Sequence, residues 1–303
     1  MENNKDQAMM EHFAAWAEEN NYIPPELYKK YGVKRGLRND NGTGVLVGLT
    51  RIAEVHGYNI VDGDKVSDVG ELTYRGIGLS DLCRGFQQEG RFGFEETIFL
   101  LLFGKLPTAE ELKLFNDTLS EHRPLPAGFI ENMILKNPSP DIMNKIQRSV
   151  LVTYSYDENP DDLSIANITR QSIDMIAKFP TMMAYGYQAK VHYYDGESLY
   201  IHAPKSEYST AENILHMIRP DNQFTPKEAE LLDLCLVIHA EHGGGNNSAF
   251  ATYVVASSGT DTYSALAAAV GSLKGPKHGG ANKKVLEMMG EIRENVKDWN
   301  SDE

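Results

Sequence analysis

Apolar and polar positions recur at helical spacing along most of this chain and at strand spacing only near its start. Residues 8–20 form a short amphipathic pattern that stops before Pro24-Pro25, which predicts a helix there. A glycine-rich stretch with strand character follows. It includes Gly44-Val45-Leu46-Val47-Gly48-Leu49, the turn Asp62-Gly63-Asp64 and the run Glu71-Leu72-Thr73-Tyr74, which read as a few short strands. From residue 79 onward the periodicity is helical almost throughout. Thr108-Ala109-Glu110-Glu111 and Thr225-Pro226-Lys227-Glu228 are capping boxes, the second with proline at the first helical position, where a missing N–H costs nothing. Periodicity and caps together predict about ten helices. They are punctuated at Pro124-Pro126, Pro138-Pro140, Asn159-Pro160, Pro180, Pro204 and Pro220.

Two of the predicted helices are unusual. In the one after Pro226, the run Leu231-Leu232-Asp233-Leu234-Cys235-Leu236-Val237-Ile238 is apolar on all sides, which predicts a central, buried helix that delivers His239 and His242 at its end. Residues 263–273 are rich in alanine, serine and glycine, side chains small enough for a close crossing, either inside the subunit or across a dimer interface. This helix breaks at Gly275-Pro276-Lys277-His278-Gly279-Gly280. A last helix follows, with Val285, Met288, Met289, Ile292 and Val296 on one face. The expected fold is mainly α, with a small β element near the N-terminus.

Composition narrows the function. Hydrophobic residues make up 41% of the chain, enough for a sizeable core, and the formal net charge of −14 argues against a nucleic-acid surface. The first 21 residues hold five acidic groups and one lysine, unlike a transit or signal peptide, and no apolar run is long enough for a membrane span. Cys83 and Cys235 are read as buried free thiols, which fits a reducing cytoplasm. Gly42-Thr43-Gly44 with Gly48 lacks the dinucleotide-binding spacing.

Chemistry concentrates in histidines. His12, His56, His122, His192, His202 and His216 are scattered and read as surface or satisfied structural residues. His239 and His242 are spaced to share a helix face, and His278 sits in a glycine-rich turn that lets backbone approach a ligand. A helix C-terminus at His242 favours a cationic imidazole suited to a dianionic substrate. A helix N-terminus at His278 favours a neutral imidazole able to donate to a carbonyl oxygen and stabilise an enolate. His-x-x-His with a distant histidine is also a metal-ligand pattern, but no cysteine or carboxylate cluster accompanies it, and no Gly-x-Ser-x-Gly elbow occurs.

The segments His239-Ala240-Glu241-His242-Gly243-Gly244-Gly245-Asn246-Asn247-Ser248 and Gly275-Pro276-Lys277-His278-Gly279-Gly280-Ala281-Asn282 resemble the citrate synthase family, which includes the 2-methylcitrate synthases. Weaker likeness runs through 70–76, 94–108 and 178–181, so the resemblance spans roughly residue 40 to the end. It implies condensation of an acyl-CoA, usually acetyl-CoA, with oxaloacetate and water to give citrate and CoA, by a homodimer that uses no metal or redox cofactor. It also implies roles for individual residues. His278 is catalytic and hydrogen-bonds the thioester carbonyl. His242 and Asn246 bind oxaloacetate, the backbone at Lys277 lines the acyl-CoA end, and His239 supports from behind. No nucleic-acid or membrane partner is expected.

The family pattern also has parts this sequence lacks. No histidine and no Asp-Pro-Arg follows His278, and Arg293 is the one arginine after it. The resemblance therefore implies a large helical domain over 1–278, without its C-terminal return, and the first helix of a small domain over 279–303. A chain so truncated is expected to be inactive or impaired alone and to expose apolar surface. The alternatives are a non-catalytic remnant that only dimerises and, more distantly, a histidine-ligated metal hydrolase.

Overall fold

The computed structural model of the chain describes residues 24–32, 50–62, 64–276, 278–297 and 299. The predicted helix at 8–20, the strand-like run at 44–49, His12 and Lys277 lie outside them. The chain divides into two units, Met1–Val47 and Gly48–Glu303. In the first, the described element is α1 (Pro25–Lys30), with Pro25 at its first position.

The second unit opens with β1 (Ala53–Val61) and β2 (Asp64–Tyr74), an antiparallel hairpin that turns at Asp62, where φ is +54°. Arg75 and Gly76 both have positive φ, the signature of a tight type I′ turn, and fold β3 (Ile77–Gly78) back on Tyr74. The Arg75 guanidinium donates to Leu101 O at 3.0 Å and so pins this turn to a neighbouring helix. Nine helices follow in the predicted manner, among the described residues: α2 (Leu79–Gln88), α3 (Phe94–Phe103), α4 (Ala109–His122), α5 (Ile142–Thr153), α6 (Ile165–Asp195), α7 (Thr210–Ile218), α8 (Pro226–Ile238), α9 (Asn247–Ala256) and α10 (Thr262–Lys274). The last, α11 (Gly280–Asn295), lies beyond the glycine turn. None of them is long and apolar enough to cross a membrane.

Both predicted capping boxes form, at Thr108–Glu111 and Thr225–Glu228, and a third, Ser209–Glu212, opens α7. Pro180 does not end a helix. It lies inside the 31-residue α6, whose faces on either side carry buried Ala177, Thr181 and Met182. Thr181 Oγ1 also donates to Arg123 O across to the end of α4, so tertiary packing holds the helix through the proline. The main core gathers Phe129, Ile146, Val150, Met182, Tyr185, Tyr263 and Val270 from α5, α6, α10 and a π-helical turn at Ile130–Leu135. The small-residue helix α10 makes its close crossings inside this unit. It buries Ala265, Ala267 and Ala269 and packs against α5 and α9.

The prediction for α8 needs correcting. Its buried face is the stripe Ala229, Asp233 and Val237, while Leu231 is 61% and Ile238 42% exposed. Helical periodicity cannot choose a face when all faces are apolar. The choice is made by Asp233, whose carboxylate accepts from Gly93 N at 2.7 Å and Phe94 N at 3.2 Å and caps α3. Glu95 repeats the device one layer on, accepting from Thr210 N at the start of α7. Cys235 is exposed and Cys83 half-buried, so the reading of two buried thiols does not hold; both are unpaired. The apolar face of α11 stands in solvent, with Val285, Met288 and Met289 about half exposed.

Candidate active site

The first histidine segment begins where α8 runs out. His239 caps the helix, and its Nδ1 lies 2.7 Å from Cys235 O one turn back. Because the helix ends at Ile238, His242 sits in the loop beyond it and does not share a helix face with His239 as the spacing predicts. Both side chains are exposed. The dipole argument for a cation at His242 weakens accordingly, because that field fades within the last turn.

What shapes this loop is Tyr74, fully buried at the end of β2. Its hydroxyl lies 2.9 Å from Val237 O and 3.2 Å from both Ile238 O and Glu241 O, so it donates into the open carbonyl end of α8, and it accepts from Glu241 N at 3.3 Å. Burial raises the phenol above its ordinary range and keeps it a donor. Glu241 Oε1 then accepts from His242 N at 2.9 Å and Gly243 N at 2.7 Å. Gly243 follows with φ +99°, a conformation that side chains other than glycine's rarely tolerate, and passes close to Val55 of β1.

Asn246 closes the loop. Its Oδ1 accepts from Ala249 N at 2.8 Å and from Ser248 Oγ at 2.6 Å, and its Nδ2 donates to Gly243 O at 2.6 Å. The residue is therefore the N-cap of α9, a role that Asn-x-x at a helix start signals and that sequence reasoning passed over in favour of a ligand contact.

The second segment leaves the other arm of the same hairpin. α9 and α10 pack against each other and are joined by the short turn 257–261, which closes as Asp261 accepts from Ser264 N at 2.8 Å. Such a pair runs antiparallel, so the loop before α9 and the turn after α10 emerge at one end. The turn holds itself by Gly279 N donating to Leu273 O at 2.8 Å and His278 N donating to Gly275 O at 3.0 Å. A Cβ at Gly279 would lie 2.1 Å from Leu273 O, so only glycine fits there. His278 is half-buried and its own carbonyl accepts from Ala281 N in the first turn of α11, as the sequence predicts.

The scattered histidines have local partners. His56 pairs with Asp68 and His122 with Asp174, each at 2.9 Å, while His192 contacts Glu197 O, His202 contacts Pro220 O and buried His216 contacts Ala203 O. Two open clefts, of about 900 and 750 Å³, lie around Arg91 and Tyr208, and none of the three candidate-site histidines lines them. Among the described residues, no three His, Cys, Asp or Glu side chains converge as metal ligands.

Comparison with known proteins matches the sequence and the fold to one family. A family model described as citrate synthase, C-terminal domain, matches residues 40–303. The citrate synthase of Haloferax volcanii is 33% identical over 268 residues, covering 86% of this chain and 62% of its own length. The 2-methylcitrate synthase 1 of Corynebacterium glutamicum is 31% identical, covering 88% of this chain and 64% of its own. The crystal structure of citrate synthase from Pyrobaculum aerophilum superposes with a TM-score of 0.69 at 28% identity, over 84% of this chain and 61% of that one. A ternary complex of citrate synthase from Thermoplasma acidophilum with carboxymethyl coenzyme A and oxaloacetate shares the fold, with a TM-score of 0.69 at 24% identity. The chain thus spans a little over three fifths of the relatives it matches. With two thirds or more of its length aligned to relatives at this identity and the family model extending over nearly all of the described residues, the chain belongs to the citrate synthase family.

Proposed function

We propose that this chain forms part of an enzyme that condenses acetyl-CoA with oxaloacetate and water to give citrate and CoA. The observation that carries this reading is the family match over 40–303, which takes in the His242 loop before α9 and the His278 turn after α10. His278, held by a glycine turn at the mouth of α11, donates to the thioester carbonyl while a base supplied by the rest of the enzyme takes a methyl proton, and so stabilises the enolate that forms. His242 binds oxaloacetate. Asn246 belongs to the same pocket and acts through the loop that it closes. His239 is tied back to Cys235 O and supports the loop from behind. This chemistry calls on no metal or redox cofactor. Relatives named for both citrate and 2-methylcitrate leave propionyl-CoA as a second acyl donor to assay.

The domain reading is a large helical domain over 1–278 and the first helix of a second domain over 279–303, supported by the glycine break at Gly279-Gly280 between α10 and α11. The working form is a homodimer in the cytoplasm. The exposed Leu231 and Ile238 on α8 and Tyr253 and Val254 on α9 favour burial against a second copy, and the unpaired cysteines suit a reducing compartment. Sedimentation at the mass of one 33.8 kDa chain at all concentrations would contradict the dimer.

The experiment follows free CoA thiol from acetyl-CoA plus oxaloacetate. Because the chain spans 62% of the Haloferax relative, the assay also supplies the part of that relative left unmatched. His242→Ala is expected to raise the oxaloacetate KM about tenfold or more, as loss of a hydrogen bond to a charged group does. An unchanged KM would remove His242 from the substrate pocket.

A further inference from the structure

Polar contacts near the candidate site converge on a residue that touches no substrate in this reading. Tyr74 is fully buried, yet its hydroxyl donates its one proton to Val237 O at 2.9 Å, with Ile238 O and Glu241 O also within reach at 3.2 Å, and accepts from Glu241 N, all across a gap of more than 160 residues in sequence. Its ring packs with Leu82, Phe86, Leu100 and Val237 and cannot swing away without opening that cluster. A helix end normally leaves its last carbonyls to water or to a glycine cap. Here a phenol from the sheet donates to one of them, Val237 O, at 2.9 Å. Glu241, held by its own backbone against the phenol, spends its carboxylate on the N–H groups of His242 and Gly243.

We propose that Tyr74 and Glu241 form a latch that positions His242, Tyr74 fixing where the chain leaves α8 and Glu241 fixing the direction of the next two peptides. The assignment of His242 to oxaloacetate rests on the function proposed above; the latch itself is a statement about backbone geometry. Tyr74 is a positioning residue, because it acts through the loop and not on the reacting atoms. Its hydroxyl, and not its ring, is the working part, since the ring alone would serve the apolar cluster equally well as phenylalanine.

The first test uses the 303-residue chain itself and needs no turnover. Amide hydrogen exchange is compared between the wild type and Tyr74→Phe. Exchange at Glu241, His242 and Gly243 is expected to speed up about tenfold, the loss of roughly one hydrogen bond, with the amides of α10 unchanged. Unchanged exchange in the loop, or uniform acceleration across the chain, overturns the latch. The second test measures kinetics in the supplemented enzyme. Tyr74→Phe and Glu241→Ala are each expected to raise the oxaloacetate KM several-fold while kcat changes little, and Glu241→Gln, which keeps an acceptor oxygen, restores most of the loss. A fall in kcat with unchanged KM, or no rescue by glutamine, also counts against it. Should the wild type release no CoA, the functional reading fails while the exchange experiment still decides the latch.

Discussion

A single carboxylate illustrates how much one buried group can organise. Asp233 is 1% exposed and caps α3 from the middle of α8. Burial pushes its carboxyl from the ordinary 3.8 up to about 6, against the pull of the two backbone N–H groups. The folded chain therefore holds this proton more tightly than the unfolded chain does. Its contribution to stability is fully present below about pH 4 and is lost as pH rises through about 6, a swing of at most about 3 kcal/mol. Asp233→Asn removes the titration. Denaturant midpoints at several pH values from 4 to 7 should show the wild type losing ground relative to the variant as pH rises, and a constant gap would contradict the account. At this scale the sequence was legible where a residue type has one use. His278 in its glycine turn and the partnered status of His56, His122, His192, His202 and His216 could be read directly. Tyr74 and Glu241 could not, because their partners are backbone atoms that only the fold brings near. Asn246 was visible as a polar residue before a helix, and its capping role was the plainer reading of that position.

At the scale of elements, start signals proved more legible than stops or faces. Thr108 and Thr225 each begin a helix with the side-chain cap that the sequence signals, because that chemistry is local. Pro180 failed as a stop because packing around Met182 and the bond from Thr181 to Arg123 O outweigh the lost backbone bond. The face of α8 could not be chosen from a run of leucines. The small-residue helix α10 was read correctly as a close crossing, and within the chain it packs against α5. Ala267 is 5% exposed in this crossing. Ala267→Leu should therefore overpack it and cost about 1–3 kcal/mol, seen as a lower thermal midpoint. An unchanged midpoint would show that the crossing has room to spare.

At the scale of the whole molecule, the buried core and the exposed apolar faces point in different directions. α5, α6 and α10 enclose a core typical of a stable domain, whereas α8, α9 and α11 leave Leu231, Tyr253, Val254 and Met289 in solvent. The mainly helical fold and the family could be read from the sequence, because helical periodicity is strong and the two glycine-histidine segments are distinctive. The path between those segments could not, because it depends on the α9–α10 pair packing against each other. The proposed role of His278 at the reacting carbonyl is tested most directly by one measurement. In the supplemented assay, CoA release from acetyl-CoA and oxaloacetate is compared for wild type, His278→Ala and His239→Ala. The account predicts a loss of about 10²–10⁴-fold for His278→Ala, the usual worth of a positioned proton donor, and less than about tenfold for His239→Ala. Equal, mild effects of the two substitutions would contradict it.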